Sequence, residues 1–276
     1  MRHNRRVATA FDPHVGRAFI ERIGPEGHEH LRDDVAVEEP LEIRVDGSAL
    51  AVTMRTPGED EELAVGFLAG EGLIGAPDEV ADAGPTADFA ANVVEVRTRG
   101  GLRRDPGGEE RRFYLTSSCG VCGKGALEFV RQEAPESRLG APVTPEAVLA
   151  APARARAEQV AFKRTGGLHA TALFEPGGEL LVLREDVGRH NAMDKALGAM
   201  FLAGRYPLSG VLACLSGRAS FELVQKASLA GLAGVVAVGA PSSLAVELAQ
   251  ERGILLCGFV RDATFNVYAG VQRLAI

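Results

Sequence analysis

Tryptophan, long apolar runs and an excess of positive charge are all missing from this sequence of 276 residues. No apolar run approaches the roughly 20 residues that a membrane-spanning helix needs, so we expect no membrane partner. The formal net charge is -7, which argues against nucleic acid and anionic lipid as partners. The basic N-terminus is not followed by an apolar core, so we expect no secretory signal and a cytoplasmic protein.

Cysteine is also scarce, with four residues in the whole chain. A cytoplasmic protein keeps its thiols reduced, so structural disulfides are disfavoured. Cys214 and Cys257 lie alone inside apolar, strand-like runs, and we predict that both pack as small buried hydrophobic side chains. The chemistry of the chain is therefore expected at the other two cysteines, Cys119 and Cys122.

The Cys-x-x-Cys pair lies in a run of glycine and serine, residues 117–125. A strand-like segment precedes it and a helical pattern follows, which predicts a strand-to-helix turn with Cys122 near the helix start. Free N–H groups and the helix dipole stabilise a thiolate there, and Lys124 adds positive charge. A zinc site, which uses the same spacing, and a structural disulfide are the alternatives. We favour a reactive thiol pair, with zinc second, and assign Cys119 and Cys122 as catalytic residues without a metal.

Hydrophobic residues make up 46 % and charged residues 24 % of the chain, which is typical of a globular protein long enough for two domains. We expect an α/β protein overall. Residues 1–135 are predicted to form a small α+β domain that ends in the Cys-x-x-Cys loop and helix. Asp46-Gly47 between two alternating runs predicts a tight β-hairpin, and residues 24–30 are predicted to be a loose surface loop.

Residues 140–276 are predicted to form an α/β domain with a mixed, mainly parallel sheet, because apolar strands alternate with helices there. Ligands of such sheets bind beyond the carboxyl ends of the strands. Loops rich in serine, glycine and arginine follow three strands, and two of these loops open helices, whose N–H groups bind anions. We therefore predict a pocket for a phosphorylated, nucleotide-like ligand, although such residues also cap helices and turns. The predicted pocket residues are Ser216, Gly217, Arg218, His190 and Arg261. Three alternatives stay open for His190, His169 and Asp186: acid–base chemistry, orientation of the Cys pair, or a purely structural role.

Four segments together make the sequence similar to the FdhD family of formate dehydrogenase accessory sulfurtransferases: residues 117–123, 165–169, 185–195 and 216–218. The resemblance implies a protein that accepts sulfur from a cysteine desulfurase as a persulfide on Cys119. It further implies transfer of this sulfur to the molybdenum of the bis-molybdopterin guanine dinucleotide cofactor, which formate dehydrogenase needs. This molybdenum cofactor would be a bound client, with no permanent cofactor.

The same resemblance implies a cytidine-deaminase-like second domain, a homodimer and a segment that binds the guanine dinucleotide cofactor. That segment maps onto Phe259, Val260, Arg261, Asp262, Ala263 and Thr264. Two other functions stay open. A cofactor-binding chaperone would act without sulfur transfer. A zinc deaminase-like hydrolase would need His-x-Glu, whereas this chain has His169-Ala170-Thr171.

Overall fold

The computed structural model describes residues 12–25, 27–86, 91–104 and 142–276. Within these residues the protein has a two-stranded ribbon, a four-stranded sheet and a six-stranded sheet. The sheets combine parallel and antiparallel neighbours and pack against helices, so the predicted α/β class is confirmed. The predicted domain boundary near residues 135–140 lies outside the described residues and stays a prediction.

The ribbon consists of two ten-residue strands, β1 (Val15–Gly24) and β2 (Gly27–Ala36), which pair antiparallel along their whole length. The prediction of a loose loop at residues 24–30 is therefore wrong. Most residues of both strands are exposed, including Phe19 at 80 %. A ribbon that buries so little needs no alternation of apolar and polar residues, which is the signal that predicts a strand.

The four-stranded sheet has the order β4–β3–β6–β5. Its strands are β3 (Glu39–Val45), β4 (Ser48–Arg55), β5 (Val80–Pro85) and β6 (Val93–Thr98). The predicted hairpin is confirmed, because Asp46 and Gly47 join β3 to β4 with the positive φ angles, 49° and 81°, of a tight primed turn. Helix α1 (Asp60–Gly70) packs on this sheet over a core that includes Ile43 and Val96.

The six-stranded sheet has the order β12–β11–β10–β9–β7–β8. Its strands are β7 (His169–Phe174), β8 (Leu180–Asp186), β9 (Leu212–Leu215), β10 (Gly234–Ala237), β11 (Leu255–Arg261) and β12 (Thr264–Ala269). Among these strands β9, β10 and β11 run parallel, and every other pair of neighbours is antiparallel. The sheet is mixed as predicted, but the prediction that it is mainly parallel is wrong. Short turns after β7 and β11 require antiparallel partners, because a parallel neighbour needs a long crossover.

Helices cover both faces of this sheet. They are α2 (Pro145–Glu158), α3 (Val160–Thr165), α4 (Arg189–Leu202), α5 (Phe221–Leu229) and α6 (Ser243–Arg252). The face under α4, α5 and α6 has a core that includes Leu197 and Leu248, and α2 packs over Phe174 on the opposite face. Thr144 caps α2 as its sequence predicts, since the Ala147 N–H donates to the Thr144 hydroxyl at 3.2 Å. Among the described helices, none is both long enough and apolar enough to span a membrane.

Helices α1 and α4 cross with their backbones in contact and thereby join the two larger sheets. A Cβ placed on Gly66 would overlap the carbonyl oxygen of Asp194, and one on Gly198 would overlap the carbonyl oxygen of Glu62. Glycine is needed at both positions because only a residue without a side chain allows so close an approach. Arg184 of β8 strengthens the junction, with two nitrogen–oxygen distances to the Glu62 carboxylate of 2.5 and 2.8 Å.

Candidate cofactor-binding cavity

A cavity of about 1230 Å³ opens at the carboxyl ends of the three parallel strands. Its position agrees with the predicted pocket, because Ser216 follows β9 and Arg261 ends β11. The predicted residues that line it are Ser216, Val260, Arg261 and Asp262. Helices α2 and α3 supply much of the remaining wall, a contribution that the sequence pattern did not predict.

Hydrogen bonds join the strand ends into one continuous rim. The Ser216 N–H donates to the Ala170 carbonyl at 3.0 Å, and the Ala170 N–H donates to the Ser216 hydroxyl at 2.9 Å. The Gly239 N–H donates to the Gly217 carbonyl at 3.0 Å, and the Phe259 N–H donates to the Gly239 carbonyl at 3.1 Å. These bonds hold the polar side chains of neighbouring loops in fixed positions around the cavity.

Two predicted residues of the first loop, Gly217 and Arg218, lie beside the cavity lining. A Cβ placed on Gly217 would lie 3.5 Å from Nδ1 of His169, so this glycine packs against the imidazole ring. A Cβ placed on Gly239 would lie 3.0 Å from Cγ of Arg218, so the stem of Arg218 covers the neighbouring loop. Both residues shape the rim, while His169 itself lines the cavity.

The predicted segment from Phe259 to Thr264 forms the end of β11, a tight turn and the start of β12. Phe259 and Asp262 adopt positive φ angles of 52° and 22°, which side chains rarely accept. The ring of Phe259 is 40 % exposed, and β11 and β12 lose their regular register between Gly258 and Arg261. Phe259, Ala263 and Thr264 are outside the cavity lining, so the structure divides the predicted segment between the cavity and its rim.

The two predicted histidines lie in different surroundings. His190 is buried in the first turn of α4, where its Nε2 lies 3.5 Å from the Ser220 hydroxyl and 3.9 Å from the Glu222 carboxylate. It therefore faces the start of α5, outside the cavity lining. His169 lines the cavity, and burial together with the nearby charge of Arg189 lowers the pKa of its imidazole. A neutral ring that can accept a hydrogen bond or a proton is thus favoured at neutral pH.

The predicted catalytic residues Cys119 and Cys122 lie outside the described residues, and their assignment stays a prediction. Cys214 and Cys257 are confirmed as buried strand residues with free thiols. Burial raises the pKa of both thiols to about 12. Neither forms a thiolate readily at neutral pH, so neither is a candidate nucleophile.

Two charged residues of segment 185–195, Asp186 and Lys195, form a buried clamp between the two larger sheets. Asp186 accepts hydrogen bonds from the N–H groups of Thr56 at 3.1 Å and Gly188 at 2.8 Å. The Lys195 ammonium lies 3.0 Å from the Asp186 carboxylate and donates to the Thr56 carbonyl at 2.8 Å. Burial raises the pKa of Asp186 even beside this ammonium group. Both side chains therefore hold the end of β4 against α4, a structural role that the sequence left open for Asp186.

A second buried ion cluster joins α1, α4 and α5. The Lys226 ammonium lies 2.9 Å from the carboxylate of Asp194 and 2.9 Å from that of Glu71. Burial raises the pKa of Asp194 to about 6, while the two carboxylates raise the pKa of Lys226. This cluster stabilises the helix junction and supplies no group to the cavity lining.

The part of the chain that the structure describes contains no group of three or more histidine, cysteine, aspartate or glutamate side chains able to hold a metal ion. The cavity, whose lining also includes the carboxylates of Glu146 and Asp262, offers the guanidinium groups of Arg156 and Arg261, the imidazole of His169 and the hydroxyl of Ser216. Such groups bind anions and hydrogen-bonding heterocycles, and an arginine binds phosphate through paired hydrogen bonds. The arrangement is therefore suited to an anionic, nucleotide-like ligand.

Comparison with known proteins identifies the family. The model of the FdhD/NarQ family matches residues 36–275. A sulfur carrier protein FdhD from Streptomyces avermitilis is 51 % identical over 257 residues, which cover 88 % of this chain and 90 % of the relative. Another from Mycolicibacterium paratuberculosis is 49 % identical over 250 residues, covering 88 % and 92 %. A solved structure from Desulfotalea psychrophila, described as a candidate formate dehydrogenase accessory protein, has a TM-score of 0.78 at 23 % identity over 95 % of this chain and 100 % of that one, which supports the fold. The chain belongs to the FdhD/NarQ family.

Proposed function

We propose that this protein is a sulfurtransferase that carries sulfur from a cysteine desulfurase to the molybdenum cofactor of formate dehydrogenase. The observation that carries the proposal is its 51 % identity, over 88 % of the chain, to a protein named as a sulfur carrier. The sequence also contains the paired thiols, Cys119 and Cys122, that such chemistry requires. We expect the reaction to take place in the cytoplasm, where these thiols stay reduced.

The sulfur transfer conserves atoms and electrons, so it needs no outside oxidant. The Cys119 thiolate attacks the outer sulfur of the desulfurase persulfide, the S–S bond of that persulfide breaks, and the desulfurase leaves as a thiolate. Cys119 then carries the sulfur as a persulfide. Attack of the Cys122 thiolate on the sulfur of Cys119 forms a disulfide and releases sulfide for the molybdenum. A cellular thiol reductant afterwards returns both cysteines to the reduced state.

The acceptor of the sulfur is the bis-molybdopterin guanine dinucleotide cofactor, bound as a substrate in the cavity beyond β9, β10 and β11. A volume of about 1230 Å³ accommodates a large part of such a ligand. Arg261 binds a phosphate of the dinucleotide, and His169 provides a neutral hydrogen-bonding group in the same cavity. A cytidine-deaminase-like architecture for the six-stranded sheet and a homodimer are parts of the same proposal.

Intact-mass spectrometry with peptide mapping tests the sulfur-carrier role. The purified protein is incubated with a cysteine desulfurase and cysteine, and we expect a gain of one sulfur, about 32 Da, on the Cys119 peptide. The peptides of Cys214 and Cys257 serve as internal controls, because burial raises the pKa of both thiols to about 12. No gain of sulfur on Cys119 would contradict the proposal, and stoichiometric zinc in the same sample would indicate a metal site instead.

A cofactor-binding chaperone without sulfur transfer is the second candidate, favoured by the size of the cavity. The two functions differ in how they respond to Cys119→Ala. If the protein is a chaperone, Cys119→Ala would still support formate dehydrogenase activity in cells that lack the wild-type gene. If it is a sulfur carrier, Cys119→Ala would bind the cofactor normally but would lose that activity. The Cys257→Ala variant is the matched control, because Cys257 is a buried strand residue outside the cavity lining and removal of its thiol should leave sulfur delivery intact.

A further inference from the structure

The ribbon of β1 and β2 has an open edge along β1. In the part of the chain that the structure describes, β1 pairs with β2 and with no other strand. Arg164 of α3 holds the base of the ribbon by hydrogen bonds to Asp34 at 2.8 Å and to Asp12 at 2.7 Å, while most of the ribbon is exposed. A two-stranded ribbon is marginally stable in water, so a further strand at the β1 edge would stabilise it.

The backbone pattern shows which groups β1 presents at this edge. The Val37 N–H donates to the His14 carbonyl at 3.0 Å, which makes these two residues a hydrogen-bonded pair. Hydrogen-bonded and non-hydrogen-bonded pairs alternate along an antiparallel ladder, so Arg17, Phe19 and Glu21 belong to non-hydrogen-bonded pairs. Their N–H and carbonyl groups therefore point away from β2, towards the position of a further strand.

The usual protection of an edge strand is absent from β1. Natural edge strands are commonly protected by lysine, proline or a bulge, whereas β1 contains neither residue and pairs with β2 without a register shift. Phe19 and Ile23 are 80 % and 69 % exposed and lie on the same face of the strand. Exposed apolar side chains beside an open edge indicate an association surface.

The charges of β1 are arranged symmetrically about Phe19. Arg17 lies two residues before Phe19 and Glu21 lies two residues after it, on the same face. In an antiparallel pair of two β1 strands centred on Phe19, Arg17 of each copy lies opposite Glu21 of the other. Val15 of each copy lies opposite Ile23 of the other, and the two Phe19 rings are neighbours. Opposite charges and apolar pairs stabilise such a ladder, whereas like charges oppose it.

The neighbouring registers lack this match. With the centre of the pairing at Ala18, Arg17 lies opposite Phe19, and with the centre at Ile20 it lies opposite Ile23. In both registers the charges of β1 lose their opposite partner. The charge pattern thus favours one register, with a second copy of the same strand as the occupant of the edge.

Arg17 and Glu21 are available for this pairing. Within one protomer the Arg17 guanidinium lies 3.9 Å from the Asp34 carboxylate. The Glu21 carboxylate lies 3.8 Å from the His30 imidazole. Both contacts are long and exposed, so they contribute little to the stability of the protomer.

We infer that β1 is the interface of a homodimer, in which two ribbons join into one four-stranded antiparallel sheet across a two-fold axis at Phe19. The inference rests on the proposed function, which includes a homodimer, and assigns the surface that forms it. Residues 17–21 of the two copies exchange about six backbone hydrogen bonds. The Arg17–Glu21 pairs on either side of the axis fix the register.

Sedimentation velocity of the full-length protein and its charge variants tests the inference. We expect the wild type to sediment as a dimer. Arg17→Glu places two glutamates opposite each other on both sides of the axis, and Glu21→Arg does the same with two arginines. Each variant should raise the dissociation constant of the dimer at least about tenfold. Asp33→Arg is the matched control, because this residue lies on β2 opposite Ala18, away from the interface.

Two recovery experiments make the test specific for the register. The double variant Arg17→Glu/Glu21→Arg restores opposite charges and should dimerise again. An equimolar mixture of the two single variants should form a mixed dimer, because each glutamate of one variant then lies opposite an arginine of the other. Recovery in the mixture also shows that both single variants are folded.

A cysteine placed at the two-fold axis provides an independent distance test. In a background of Cys119→Ser and Cys122→Ser, Phe19→Cys should form a disulfide between two copies, because the Cα atoms of a hydrogen-bonded pair lie about 5.5 Å apart. Glu29→Cys on β2 is the control, because the spacing of strands puts its two copies at least about 14 Å apart.

A monomeric wild type would overturn the inference. A dimer that persists in both single charge variants would also overturn it, because the interface would then lie elsewhere. Failure of the mixture to recover a dimer, or absence of the Phe19→Cys disulfide, would do the same. The persulfide measurement on Cys119, made on the wild type and on both charge variants, decides the sulfur-carrier role separately. Failure of the inference and failure of the proposed function are thereby distinguished.

Discussion

Replacement of Gly66 by alanine would place a methyl group inside the backbone of the facing helix. An ideal Cβ at this position overlaps the Asp194 carbonyl and lies only 2.8 Å from the backbone nitrogen of Gly198. Helices α1 and α4 would have to separate by more than roughly 1 Å before the methyl carbon reaches an ordinary contact distance. Because the obstacle is backbone, no side-chain rotation can relieve the overlap.

The size of the effect follows from two opposing contributions. Alanine is a better helix former than glycine by about 1 kcal/mol, which favours the variant. Overpacking of a tight interior costs about 1–3 kcal/mol where side chains can adjust, and more where they cannot. We therefore expect Gly66→Ala to lose at least about 2 kcal/mol of the free energy of unfolding, which corresponds to roughly 5 °C or more in melting temperature. Gly198→Ala meets the Glu62 backbone in the same way and should lose a similar amount.

Urea denaturation and thermal unfolding of the two single variants and the double variant provide the assay. A single separation of the helices relieves both overlaps, so the double variant should lose less than the sum of the two single losses. Gly177→Ala is the control, because a Cβ there meets nothing within 4 Å. The reasoning is refuted if Gly66→Ala and Gly177→Ala have the same stability, or if the losses of the single variants simply add.

Three further predictions concern charge and thiol chemistry. The Glu59 carboxylate, 3.6 Å from Nε2 of His14, raises the pKa of this imidazole above 6.5. The charged imidazole therefore stabilises the base of the ribbon fully below pH 6.5, and this contribution is lost as the pH rises through the raised pKa. Hydrogen exchange of the ribbon, corrected for intrinsic rates, should therefore accelerate from pH 6 to 8 in the wild type and not in His14→Gln. Lys226→Met removes the cation from the buried Asp194 carboxylate and the partly buried Glu71 carboxylate. It should lower the free energy of unfolding, measured in urea, by about 3–5 kcal/mol, with partial recovery on adding Asp194→Asn; a loss below about 1 kcal/mol would contradict the ion cluster. In a variant without the Cys-x-x-Cys thiols, a thiol reagent at pH 8 should modify Cys214 and Cys257 only after denaturation, because burial raises the pKa of both thiols to about 12.

Elements with a strong local signal could be predicted from the sequence. The hairpin at Asp46-Gly47 depends on two positive φ angles that few residues accept, and the start of α2 depends on the Thr144 hydroxyl. The ribbon of β1 and β2 has no such signal, because its strands bury little and show no consistent apolar face. The sequence pattern overestimates the parallel fraction of the six-stranded sheet for a related reason. Strand β12 is stabilised by its pairing with β11, which alternation along the chain does not reveal.

The cavity could be predicted only where strand ends define it. Ser216 directly follows β9 and Arg261 ends β11, so the place of both residues at the carboxyl edge follows from the sheet. The wall formed by α2 and α3 could not be predicted, because these helices fold across that edge in a long-range arrangement without a periodic signature. His190 was expected in the cavity but turns towards α5, because its side of α4 packs there.

The buried pair of Asp186 and Lys195 affects how genetic data on this protein should be interpreted. Loss of Lys195 leaves the buried Asp186 carboxylate without its cation, and loss of Asp186 leaves the buried Lys195 ammonium only the Glu59 carboxylate at 3.7 Å. Either change raises the fraction of unfolded chains, which cellular proteases remove. An activity screen on formate dehydrogenase would then score both residues as if they handled sulfur. Immunoblots of the same strains should show falling protein levels for these variants and normal levels for Cys119→Ala. Asp186 and Lys195 would thus determine how long each protein molecule survives in the cell. Their effect on sulfur delivery would be indirect, through the amount of protein present.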